Sequence, residues 1–107
     1  MHNIFAYGTL VSREVIESVI GRALITYSDI LENYTKIGLN IVEEVDSEVS
    51  GVTFEVTDSE LESLDNYEGT ERGLYYRTEV TLLSGDKAFV YMKVDPDQQI
   101  AGLGQIG

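Results

Sequence analysis

Two stretches of this chain have residue types suited to a reaction: Phe5-Ala6-Tyr7-Gly8-Thr9-Leu10 and Leu64-Asp65-Asn66-Tyr67-Glu68-Gly69. In the first, a strand runs into glycine just before a helix. Backbone N–H groups at such a turn are free, and together with the helix dipole they favour an anion such as a carboxylate. The alternative is a glycine kept only for the turn. In the second, Glu68 follows a helix of acids but lies beyond its last apolar position, and Gly69 allows a sharp redirection that would turn the carboxylate inward. The alternative there is one more solvated glutamate. Taken together they suggest an anion cradle and a single proton-transfer group.

Other chemistries are closed by what is missing. With no cysteine there is no disulfide, thiolate zinc site or thiol nucleophile. His2 is the only histidine and sits at the probable start of a strand, so neither a Ser-His-Asp triad nor a histidine metal site is expected. Thr9 lacks a base that would make it a covalent nucleophile. Nineteen acids against seven bases give a net charge of -12, which argues against nucleic acid and anionic membranes. The acids bunch at 43–48 and 58–71 and read as a solvated face, without the ligand spacing of an EF-hand loop. The N-terminus lacks a secretory signal and no run approaches a membrane span, so a cytoplasmic location is expected.

A single domain of 107 residues must position these groups. Strands are predicted at 2–7, 23–32, 34–44, 51–57, 74–83 and 87–94, the last two joined by Ser84-Gly85-Asp86. Ser12 is placed to cap a helix through Ile20 that Gly21 stops. Thr57-Asp58-Ser59-Glu60 is a capping box opening a second helix that carries Leu61 and Leu64 and ends at the turn from Asn66 to Gly69. This order is not the βα alternation of a doubly wound fold. It predicts an α+β architecture, a mixed sheet curled into a small barrel with helices at its ends or sides. Residues 1–95 form the domain, and 96–107 a glycine-containing tail that is mobile or loosely docked.

At the two reactive stretches the chain resembles the gamma-glutamylcyclotransferase-like family, in its small single-domain members. Tyr7-Gly8-Thr9-Leu10 matches the family's Tyr-Gly-Ser/Thr-Leu loop, and Leu64 to Gly69 matches its Leu-Asp-x-x-Glu-Gly segment. Gly51-Val52-Thr53-Phe54-Glu55-Val56, Tyr75-Tyr76-Arg77 and Ala88-Phe89-Val90-Tyr91 extend the resemblance over about Ile4 to Val94. It implies a small mixed β-barrel of about five to seven strands with two short flanking helices. It also implies a reaction in which the α-amine of a γ-glutamyl group attacks its own side-chain carbonyl, releasing 5-oxoproline and an amine or amino acid.

One carboxylate between the attacking and departing nitrogens can serve both, and the resemblance assigns that role to Glu68. Ring closure supplies its own nucleophile, so neither cofactor nor metal is required. The loop of Tyr7, Gly8, Thr9 and Leu10 would hold the substrate's α-carboxylate or the developing oxyanion. Tyr75 either lines the pocket and hydrogen-bonds substrate or is a barrel packing residue. Arg77 is expected to partner a carboxylate near the site. Val11-Ser12-Arg13-Glu14 lacks the Arg-rich and Asn-His elements of some members, which leaves the leaving group open. A noncatalytic small-molecule binding or regulatory module on the same fold is the alternative function.

Overall fold

Strand β1 (His2–Ala6) buries Ile4 and Ala6 on one face and Phe5 on the other. So short and doubly apolar a strand belongs in the middle of a sheet covered on both sides. The structure, a computed structural model describing residues 1–93, places it there. The five strands are β1, β2 (Tyr27–Ile37), β3 (Asn40–Val56), β4 (Tyr75–Thr81) and β5 (Lys87–Lys93), in the order β2-β3-β1-β5-β4. β1 is antiparallel to β3 and parallel to β5, so the sheet is mixed.

The sheet curls around Phe5, Leu31, Ile41, Val49, Leu82 and Val90. Its other face carries the helices α1 (Arg13–Ile20) and α2 (Asp58–Glu68), which pack Ile16, Leu61 and Leu64 against Ile4, Phe54 and Val56. Leu83 N–H donates to the Ile30 carbonyl at 2.8 Å, tying the β4–β5 hairpin to the edge of β2. The result is a half-barrel with two flanking helices, as the sequence predicts.

The capping box forms as expected. Glu60 N–H donates to the Thr57 hydroxyl at 3.3 Å, and Thr57 N–H donates to the Glu60 carboxylate at 2.9 Å. Arg22 adds 2.5 and 2.8 Å hydrogen bonds to the same carboxylate, which joins the end of α1 to α2. The Arg22 guanidinium and Thr57 together hold the Glu60 carboxyl down to about 2. His2 reaches Asp58 on the first turn of α2. Ser12 occupies the N-cap of α1 but makes no side-chain cap bond, while Gly21 ends the helix in the left-handed region as predicted.

Three predicted boundaries are corrected. Residues 23–26 are not strand, and β2 starts at Tyr27. The predicted strands 34–44 and 51–57 are not separate: Tyr34–Ile37 continues β2, and Asn40–Val56 is one 17-residue strand turning back at Gly38. A register shift at Asn33 bends this hairpin, with both Asn33 and Asp46 at positive φ. Residues 43–46 face solvent there, so the alternation that marks a strand is lost although the ladder continues on both sides of the shift. The turn predicted at Asn66–Gly69 is instead the last turn of α2, through Glu68. The predicted tail at 96–107 lies outside the described residues, among which no helix is long and apolar enough to cross a membrane.

Candidate active site

The chain leaves β1 at Tyr7 and tightens at once into a 3₁₀ turn, Thr9–Val11, closed by Val11 N–H to the Gly8 carbonyl at 3.1 Å. The first N–H groups of such a turn have no partner within it. Gly8 is not at positive φ, and a Cβ added to it would meet no protein atom within 4 Å. Neither backbone strain nor packing therefore calls for glycine there; its missing side chain leaves room on the wall of a recess.

The second wall comes from the end of α2. Gly69 stops the helix at φ 73, its N–H donating to Asn66 and Asp65 carbonyls. The turn needs glycine for its left-handed backbone, and a Cβ at this position would also push aside the side-chain ends of Arg72 and Leu74, 2.9 Å away. The tight cap leaves Glu68 as the last helical residue, its carboxylate on the recess rather than in bulk water.

Tyr7, Gly8, Leu10, Glu68 and Tyr75 all line this recess, which opens to solvent. Thr9 belongs to the 3₁₀ turn between two of these residues. Four further lining residues carried no assigned role in the sequence: Phe5, Ala6, Leu39 and Tyr91. Phe5, Ala6 and Tyr91 belong to motifs that the sequence shows without giving them a role in the site, and Leu39 arrives through the bent β2–β3 hairpin, which local patterning does not announce.

Among the described residues, Glu68 is the only lining side chain that is a carboxylate or a base. Burial raises its carboxyl above the usual range, and no ion pair among the described residues offsets this. The surrounding phenols are neutral donors. Burial pushes Tyr7 up, assisted by Tyr75 and Glu68, and burial followed by Glu68 pushes Tyr75 up. Tyr7 donates to the Tyr91 carbonyl, and Tyr75 donates to the Leu39 carbonyl at 3.0 Å, holding the hairpin tip at the mouth. Arg77 pairs with Asp65, as expected of a partner to a nearby carboxylate. No group of three or more His, Asp or Glu among the described residues is arranged to hold a metal ion.

The model of the gamma-glutamyl cyclotransferase, AIG2-like family matches residues 4–105. AIG2-like protein D of Arabidopsis thaliana is 32% identical over 113 residues, covering 91% of this chain and 72% of its own length. A solved gamma-glutamyl cyclotransferase superposes with a TM-score of 0.76 at 22% identity, over 88% of this chain and 67% of that one. An Arabidopsis thaliana protein solved in solution superposes with a TM-score of 0.72 at 28% identity, over 97% and 83% of the two chains.

Proposed function

This chain belongs to the gamma-glutamyl cyclotransferase, AIG2-like family, and from that premise we propose that it releases 5-oxoproline from a γ-glutamyl amine or amino acid, with Glu68 carrying the proton. The observation that carries the reading is the half-buried Glu68 carboxylate, which has no ion-pair partner among the described residues, on a recess shared with the Gly8 turn. A solvated glutamate would have no such hollow beside it. A buried carboxylate without a cation is costly for the fold and is characteristic of a group used as a base.

In the proposed reaction the Glu68 carboxylate takes a proton from the substrate's α-ammonium. The freed amine attacks the γ-carbonyl carbon, forming the ring C–N bond and placing negative charge on the carbonyl oxygen. Glu68 then returns that proton to the leaving nitrogen as the original amide bond breaks, and the second proton that the ring nitrogen sheds passes to the released amine, so the carboxylate ends as it began. The amides of the 3₁₀ turn receive an anionic group of the substrate, and the phenols of Tyr7 and Tyr75 complete a polar wall around an otherwise apolar recess. Holding the glutamyl chain folded supplies the remainder of the rate, because the nucleophile is already attached to its target.

Incubation with a panel of γ-glutamyl amines and dipeptides, read by mass for 5-oxoproline, tests this directly. Product from at least one member is expected. Binding of several members with no product from any would replace the enzyme with a binding module.

The Gly8 wall offers a test separate from the base. Gly8→Ala is expected to keep the wild-type melting temperature, because a Cβ there meets no protein atom within 4 Å. It is expected to raise KM on the order of tenfold or more by filling space meant for substrate. An unchanged KM would remove Gly8 from the binding wall.

A further inference from the structure

Asp65 lies three residues before Glu68 on α2, on the same flank of the helix. Its carboxylate is gripped from two strands. Tyr91 on β5 donates its hydroxyl to Oδ1 at 2.6 Å, and Arg77 Nη1 on β4 reaches Oδ1 and Oδ2 at 3.1 and 2.9 Å. The guanidinium is itself held 4.9 Å from the centre of the Phe89 ring. The Tyr91 carbonyl in turn accepts the Tyr7 hydroxyl, which extends the chain of contacts to the end of β1. Thr70 donates to the Asp65 main-chain carbonyl at 3.3 Å, securing the close of the helix. Asp65 therefore links the last turn of α2 to the three strands whose residues face Glu68 across the recess.

Resting on the reading of Glu68 as the proton carrier, we propose that Asp65 and Arg77 are positioning residues with two tasks. Mechanically, the Asp65 contacts to Tyr91 and Arg77 fix the rotation of the last helical turn, and so the direction of the Glu68 carboxylate. Electrostatically, Arg77 cancels the charge of Asp65, so that Glu68 is governed by its burial and not by a neighbouring anion. Among the described residues, three other titratable groups share the recess with Glu68: Tyr7 at the end of β1, Tyr75 on β4 and Tyr91 on β5. None of the three is replaced in the Asp65 and Arg77 variants, so each replacement isolates one charge of the pair.

The experiment is a titration of the Glu68 carboxyl by carbon NMR in the full-length protein, assigned by the signal lost in Glu68→Gln. Asp65→Asn leaves the Arg77 cation unbalanced and is expected to lower the Glu68 midpoint. Arg77→Gln leaves the Asp65 anion unbalanced and is expected to raise it. Each shift should be about half a pH unit or more, the scale of one unit charge within the screened neighbourhood of a protein surface. Arg77→Lys restores the charge and should return the midpoint to the wild-type value. Tyr91→Phe keeps both charges and should leave the midpoint in place while lowering kcat about tenfold with KM little changed.

A purely structural pair predicts no opposed shifts, so movement in one direction or none at all in the two charge variants overturns the proposal. If Asp65→Asn does not fold, the contrast between Arg77→Gln and Arg77→Lys decides the same point. The titration needs no turnover, which separates two failures. Opposed shifts in a protein that makes no 5-oxoproline would retire the cyclotransferase reading alone. Turnover without opposed shifts would retire the positioning role alone.

Discussion

Glu68→Gln is expected to fold and bind γ-glutamyl compounds while losing about 10²- to 10⁴-fold in 5-oxoproline formation, the range over which a positioned acid-base group contributes. The amide keeps the size and hydrogen-bonding capacity of the carboxyl, so substrate is still held. It neither accepts the ammonium proton nor returns one to the departing nitrogen. Single-turnover assays on purified protein, with binding followed separately, would falsify the role of Glu68 if product appeared at the wild-type rate. The same substitution makes a second, opposite prediction about stability. Burial raises the folded-state pKa of Glu68 above its unfolded value, so ionising it costs the folded state at neutral pH. The stabilising difference belongs to the protonated form: it is fully present below the unfolded pKa and is lost as pH rises through the folded one. Gln removes that titration, so the variant should melt higher than wild type near neutral pH, and the gap should close on acidification. In the wild type, kcat/KM should fall on the acid side with a midpoint above the ordinary carboxylate range, because only the ionised form takes the proton.

Much of this arrangement is legible in the chain because its informative residues act locally. A capping box is a three-residue reciprocity between side chain and backbone, and Thr57 with Glu60 forms it as written. Gly21 and Gly69 stop helices for the same local reason, a positive φ. The β4–β5 hairpin is equally short-range, with Gly85 at φ 94 between strands of matched alternation. What local pattern does not carry is any wall made by distant segments. Leu39 shows no periodic signal and two-thirds of it is exposed, yet the register shift at Asn33 and the bonds from Tyr75 to Leu39 and from Lys93 to Asn40 bring it to the recess. Local pattern divides the long β3 in two because its acidic middle is exposed to water, and alternation reports burial rather than pairing. Asp65 is visible in the sequence as part of a motif. Its partners lie 12 and 26 residues away, and only the packing of α2 on β4 and β5 brings them together.

Gly51→Ala is expected to destabilise the fold by about 3 kcal/mol or more, the upper part of the range for forcing extra volume into a packed core. Gly51 lies on the face of β3 that also presents Val49 and Thr53, and Phe5 from β1 lies over it. An added Cβ would overlap the Ala6 carbonyl oxygen and sit 2.7 Å from the Phe5 ring. Neither neighbour has an easy escape. Phe5 is 1% exposed within the core of the sheet's curled face, and the Ala6 carbonyl belongs to backbone paired along β1 and β3. The φ at Gly51 is not in the left-handed region, so the cost is one of space and not of backbone strain. Gly51→Ala combined with Phe5→Leu should therefore recover only part of the loss, because the carbonyl clash remains. Urea denaturation of the single and double variants measures both quantities. A single variant within about 1 kcal/mol of wild type would show that β1 and β3 can move apart at this point. Phe5 and Ala6 also line the recess, so any folded fraction of Gly51→Ala should turn over more slowly than its concentration predicts. The glycine that lets the two strands meet thereby also places two residues of the recess lining.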